Sequence, residues 1–185
     1  MFIEEFVVTP FQQNARIVAC EETGVAICID PGAEADRIAE SLDRHGFSLQ
    51  AIALTHAHLD HICGVADLKR IKPNATIILH AFDEPLYQGL PQQGASVGLS
   101  AEMLRSLGLN CEVPPLVEQY WTDGESYEVG RLSFRVSHVP GHSPGHVLLY
   151  EPREQKLIAG DCIFAGSIGR TDLPGGSFEA LMSSI

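Results

Sequence analysis

The apolar run Ala51-Ile52-Ala53-Leu54 leads straight into Thr55-His56-Ala57-His58-Leu59-Asp60-His61, and this junction constrains the chain more than any other stretch. Four continuous apolar residues are too few for a helix and read as a buried strand. The strand then delivers three imidazoles and a carboxylate within six residues. His56 and His58, at i and i+2, can point to one side of an extended turn. Asp60 and His61 follow as the chain bends toward a helix and can face a neighbouring point. Imidazole nitrogens and carboxylate oxygens are the usual ligands of Zn2+ and similar divalent ions. Leaving that many titratable groups in a desolvated strand end without a cation is costly.

Two further strand ends carry the same residue types. Pro140-Gly141-His142-Ser143-Pro144-Gly145-His146 places two histidines in a turn between predicted strands, and Ala159-Gly160-Asp161-Cys162 brings a carboxylate to the end of another. A single strand-end Asp is an ordinary turn former. Three strand ends offering ligand-type residues make one constellation. The charge balance agrees: 24 acidic against 12 basic residues give −12, which suits a protein that holds cations. It opposes nucleic acid, whose phosphates need clustered Lys and Arg, and an anionic membrane surface.

The rest of the chain reads as α/β. Strands are predicted at Glu5–Val8, Ile17–Cys20 and Val25–Ile29, the last closed by the turn Asp30-Pro31-Gly32. Ala35, Ile38, Ala39 and Leu42 repeat as an amphipathic helical stripe that Gly46 stops. Val65–Ile71 reads as a helix ended by Pro73, and Thr76–Leu79 as a strand. Glu84 to Pro115, with Gly89, Pro91, Gly94, Gly98 and Gly108 spread along it and a helical pattern near Glu102–Leu107, reads as a long, partly irregular surface excursion bordering a site. Two hairpins follow, Ser126–Val129 with Leu132–Val136 and His146–Tyr150 with Leu157–Ala159, then a helix over Phe178–Ile185. The expectation is two sheets with helices outside, in one domain over 1–185, a length that supports a single core.

The five cysteines, at 20, 28, 63, 111 and 162, include no CxxC pair, which argues against a disulfide framework and a four-cysteine zinc ribbon. Cys63 and Cys162 read as buried structural thiols. The first residues lack a signal-peptide pattern, and no apolar stretch approaches the ~18 residues of a membrane span. A cytoplasmic setting is the expectation.

At these residues the sequence resembles the metallo-β-lactamase superfamily, in particular its glyoxalase II-like hydrolases. Their THxHxDH motif reads here as Thr55–His61, their PGHTPGH as Pro140–His146 with Ser143 for Thr, and their strand-end GD as Gly160–Asp161. Gly169-Arg170-Thr171-Asp172 looks like the GR[ST]DF run of the short branch, with Leu173 for Phe. The resemblance implies an αββα sandwich of two mixed sheets with outer helices. It implies a first metal at His56, His58 and His142, a second at Asp60 and His61, and Asp161 bridging. His146 would be structural. The family's further histidine, from a PGHG-type turn, is expected beyond Ile185, so the last strand and helix are expected to be missing and the second position weakened. His45, His80 and His138 are expected to be structural or exposed.

A Zn2+ with an open position lowers the pKa of its water to about 7. Metal-bound hydroxide is then the nucleophile for an acyl carbon, and Asp60 could accept a proton from the water. Arg170 and Asp172 could orient ligands or simply form a salt bridge. The leading expectation is a metal-dependent hydrolase of thioesters such as S-lactoylglutathione, using one or two zinc ions, with iron or manganese as alternatives. The partner is a small-molecule thioester, not nucleic acid or membrane. A mononuclear iron oxygenase of the persulfide dioxygenase type, using His56, His142 and Asp161, is the runner-up. A non-catalytic metal-binding member is the third reading.

Overall fold

The computed structural model describes residues 1–96, 98–109 and 111–185. Strands β1 (Phe2–Val8), β2 (Gln13–Cys20) and β3 (Val25–Ile29) are antiparallel neighbours. Helix α1 (Ala35–His45) crosses over to β4 (Ser48–Ala53), parallel to β3. Two short helices, α2 (Leu59–Ile62) and α3 (Val65–Ile71), lead to β5 (Thr76–Leu79), parallel to β4. A 3-10 turn at Ala81–Asp83 precedes α4 (Glu84–Gln88), α5 (Leu90–Ser96) and α6 (Ala101–Ser106), and β6 (Gln119–Tyr120) ends a six-stranded sheet in order β1-β2-β3-β4-β5-β6. The second sheet has the order β10-β9-β8-β7, built from β7 (Ser126–Val129), β8 (Leu132–His138), β9 (Val147–Glu151) and β10 (Lys156–Ile158). A two-residue hairpin, β11 (Ile163–Phe164) with β12 (Ser167–Ile168), and helix α7 (Phe178–Ser184) complete the order.

Strand periodicity explains the layering, because successive side chains leave opposite faces of a sheet. Ala15, Ile17 and Ala19 of β2, with Ala26 and Cys28 of β3, meet the layer of α1 and α3. The alternate residues Val18, Ile27 and Ile29 face the second sheet and pack with Phe134, Val136 and Leu149. Strands buried on both faces read as continuous apolar runs, which is the pattern of Val25–Ile29 and Ala51–Leu54. On the far side Leu181 of α7 packs with Val139 and Cys162. The result is a helix–sheet–sheet–helix sandwich.

Two expectations are corrected. Only the first sheet is mixed; the second is antiparallel throughout, because its strands are joined by hairpins. The segment from Glu84 onward is mainly helical, with Tyr87, Leu90 and Leu104 buried in the core. Its glycines read as loop in sequence, but Gly94 lies where α5 meets α6, with Leu104 against it. Strand ends moved by a few residues, as when Gln13–Cys20 replaces Ile17–Cys20, because edge pairing with β1 recruits polar residues that carry no apolar signal.

The candidate metal ligands His56, His58, Asp60, His61, His142 and Asp161 lie along one edge of this sandwich. Parallel pairing sets the ends of β3 and β4 side by side, with Asp30 N–H donating to Ala53 O at 3.1 Å. Val147 N–H, opening β9, donates to Thr55 O at 2.9 Å and joins the second sheet to the same edge. Gly32 makes the approach possible, since a Cβ there would stand 1.7 Å from Asp60 O. Gly32→Ala is therefore expected to cost about 1–3 kcal/mol through forced backbone movement. Urea unfolding and a melting temperature lowered by about 2–4 °C per kcal/mol would report it; an unchanged melting temperature would contradict this packing.

Candidate metal centre

Three imidazoles converge at the sandwich edge. His56 Nε2 and His142 Nε2 are 3.2 Å apart, and His142 Nε2 lies 2.8 Å from His58 Nδ1. All three side chains are buried. The ligand atoms sit within 4.8 Å of one another, and Asp30, His56 and His61 form a second such group. Four ligands about 2.0–2.1 Å from a zinc ion stand roughly 3.3 Å apart along a tetrahedral edge, so the spacing fits one ion shared by the first three. His58 Nε2 is buried with no hydrogen-bond partner.

The hydrogen bonds behind these rings aim their lone pairs inward. His142 Nδ1 donates to Arg170 O at 2.7 Å, which leaves Nε2 as the free acceptor. Thr55 Oγ1 donates to Asp30 Oδ2 at 2.6 Å and accepts from His56 Nδ1 at 3.0 Å, so His56 Nε2 is also free. Asp30 Oδ2 accepts from His61 Nδ1 at 3.1 Å. His61 Nε2 thereby faces Asp161 Oδ1 at 3.4 Å and Asp60 Oδ2 at 3.7 Å. Asp161 Oδ2 lies 3.8 Å from His142 Nε2 and so stands between the two groups of histidines.

The structure thus brings together all six residues singled out: His56, His58, Asp60, His61, His142 and Asp161. His146 stacks on His56 with ring centroids 5.0 Å apart, and its Nε2 accepts the Asp161 N–H at 3.1 Å, so it supports the cluster from behind the candidate ligand atoms. Among the described residues the Arg170 and Asp172 side chains pair with each other, at 2.8 Å twice, while the Arg170 carbonyl does the orienting. His80 and His138 stack at 4.1 Å outside the site, and His45 packs between Phe2 and Phe47.

Two further carboxylates organise the cluster. In the sequence Asp30 reads as part of a turn, although a carboxylate closing a buried strand is the same signal that marks Asp161. Asp83 carries no such signal. Fully buried, it accepts Ala57 N–H at 3.0 Å, the Ser143 hydroxyl at 2.7 Å and Gly145 N–H at 2.6 Å. It therefore clasps the His56–His58 turn to the His142 turn. Gly145 permits this contact, because a Cβ there would lie 2.7 Å from Asp83 N.

Burial, reinforced by neighbouring imidazoles, holds His56 well below its ordinary value and brings His58 down to about 3. His142 and His146 are lowered chiefly by burial. Burial also works against the charge of His61, but hydrogen bonds to Asp161 and Asp30 and the charge of Asp60 outweigh it and raise it well above 6.5. Asp161 resists burial through its His61 contact and falls to about 2. The first group is neutral and ready for a cation, whereas the His61–Asp161 pair must release a proton to take one.

Beside the cluster lies a groove of about 350 Å³ with Leu59, Leu86, Leu173 and Pro174 on its walls and His58, Asp60, His142 and Asp161 on its floor. A more polar cleft of about 440 Å³, bounded by Gln13, Arg16 and Lys156, opens on the other side of Asp60 and Asp161.

Residues 8–185 match the sequence profile of the metallo-beta-lactamase superfamily. The chain belongs to that superfamily. It is 34% identical to hydroxyacylglutathione hydrolase GloC of Haemophilus influenzae across all of its own length and 82% of that protein. Among solved structures, a di-iron-bound form of TTHA1623 is 36% identical with a TM-score of 0.83, over 98% of this chain and 83% of that one. The BLEG-1 B3 metallo-beta-lactamase is 32% identical with a TM-score of 0.84, over 100% of this chain and 83% of that one. Family and fold thus accord with a metal centre at these histidines and aspartates.

Two outcomes follow. Asp83→Asn replaces one acceptor in the clasp with a donor facing donors, and metal affinity is expected to fall about 10–100-fold in chelator competition. The pH dependence of the metal-stripped protein has a definite sign. For His56, His58, His142 and His146, whose folded values are depressed, stability is full above about 6.5 and is lost as pH falls toward the folded values, about 3 for His58. His61 acts oppositely, its contribution being full below about 6.5 and lost as pH rises through its raised value. Four groups against one predict a lower melting temperature at pH 5 than at pH 7.5; the reverse order would refute the balance.

Proposed function

We propose that this chain is a metal-dependent thioester hydrolase acting on S-acylglutathione-type compounds such as S-lactoylglutathione. The observation that carries it is the convergence of His56 Nε2, His58 Nδ1 and His142 Nε2 beside a largely apolar groove. When bound there, zinc, or iron or manganese in its place, supplies a water of lowered pKa and a Lewis acid for the developing oxyanion. Asp30, Thr55 and the Arg170 carbonyl keep the His56 and His142 lone pairs aimed at one point. The apolar walls hold the acyl group and exclude bulk water from the reacting carbon. Asp60, at 23% side-chain exposure beside His61, is placed to take a proton from the attacking water. The name of the Haemophilus influenzae relative supports the thioester assignment.

The same reading makes the partner a small-molecule thioester and the setting cytoplasmic. The −12 charge and the absence of a disulfide framework support that. Among the described residues no helix is long and apolar enough to cross a membrane.

Loss of thioester absorbance, followed for several acyl-thiols with metal-loaded protein, tests the proposal. His56→Ala is expected to lose bound metal and turnover together. Asp60→Asn is expected to lower kcat about 10²–10⁴-fold, the range of general-base catalysis. Turnover no greater than in the metal-free control would overturn the hydrolase. The mononuclear iron oxygenase is the alternative outcome: copurified iron together with oxygen uptake on a persulfide substrate would favour it instead.

A further inference from the structure

Cys63 closes α2, directly after Ile62, and its side chain is buried. Cys111 follows α6 and is half-buried. The two sulfurs, 48 positions apart in sequence, face each other at 2.9 Å. Neither thiol has a part in the metal centre. The other cysteines are dispersed: Cys20 receives Arg131 N–H at 3.4 Å, Cys28 is sealed within β3, and Cys162 packs with Val139 and Leu181.

We propose that Cys63 and Cys111 form an oxidation-sensitive dithiol, converted by a peroxide to a disulfide that ties the metal-bearing helix α2 to the segment beyond α6. A disulfide needs sulfurs about 2.05 Å apart, so the pair closes by only about 0.9 Å. Cys111 is the half-buried and therefore accessible partner, and its hydrogen bond with Cys63 lowers its pKa, favouring the thiolate. The Cys111 thiolate attacks one peroxide oxygen; the O–O bond breaks, hydroxide leaves and sulfenic acid forms. Cys63 sulfur then attacks the Cys111 sulfur, the S–O bond breaks, and the departing hydroxide takes the Cys63 proton as water. Two thiols have lost two electrons and the peroxide has gained them.

The bond would tie α2, on which Asp60 and His61 ride, to the chain after α6, and α6 packs on α5, which supplies Gln92 and Gln93 to the groove. A thiol pair of this kind is a reversible one in a reducing compartment, unlike a structural disulfide.

Peptide mapping of the intact, reduced chain after hydrogen peroxide tests it directly. Trypsin, cutting after Arg44, Lys69, Arg105 and Arg131, leaves Cys63 and Cys111 each as the sole cysteine of its peptide. The expected result is a cross-link between residues 45–69 and 106–131, a mass loss of about 2 Da, and full reversal by dithiothreitol. In Cys63→Ser, Cys111 is expected to stop at sulfenic acid, trapped by dimedone. Retention of all five thiols, a cross-link between other cysteines, or an intramolecular disulfide of equal yield in Cys63→Ser would overturn the proposal. The wild-type map decides even if the variant does not fold.

Discussion

The buried carboxylate of Asp30 is the contact on which the edge of this sandwich depends. It stands at the end of β3 and accepts Thr55 N–H at 2.7 Å, the Thr55 hydroxyl at 2.6 Å and His61 Nδ1 at 3.1 Å. A carboxylate so deeply desolvated is tolerable only with its lone pairs filled. Filling them fixes the start of the His56–His61 turn, the tautomer of His61 and, through Thr55, that of His56. The backbone accepts a left-handed φ of 51° at Asp30 to place it there, a conformation Asp tolerates better than most residues.

Asp83 and the Arg170 carbonyl complete the same logic on the other side. One carboxylate joins the two ligand turns through three hydrogen bonds, and one carbonyl sets the His142 ring. Burial pushes Asp83 upward, while its hydrogen bonds pull the other way. The ligand atoms are held by groups that never face the cation, so the geometry is built into the protein and not assembled by the ion alone.

Electrostatics divide the site. His56, His58 and His142 are kept neutral by burial and by one another, a state that costs stability in acid and suits a cation. His61 with Asp60 and Asp161 is a charged, partly exposed group whose proton must leave first. The apolar groove reaches His58 and His142 as well as Asp60 and Asp161, while the polar cleft reaches only the charged residues Asp60, His61 and Asp161.

The candidate ligands were legible because metal chemistry demands particular residue types, and His56, His58, Asp60, His61, His142 and Asp161 announce themselves by kind and by position after apolar runs. The β strands were legible for a related reason, since burial on both faces writes continuous apolar runs into β3 and β4. What no local pattern encodes is which distant groups meet. Asp83 looks like any loop residue until β5 carries it beneath Ala57 and Gly145. The helices within Glu84–Ser106 are short, glycine-containing and stabilised by packing on the core, not by intrinsic propensity. Arg170 contributes its carbonyl, which every residue has, and so leaves no mark in the side-chain code. Residue identity and period alone determined the chemistry available to this protein. Tertiary structure decided its geometry, because hydrogen bonds between residues tens of positions apart exist only once the two sheets have packed.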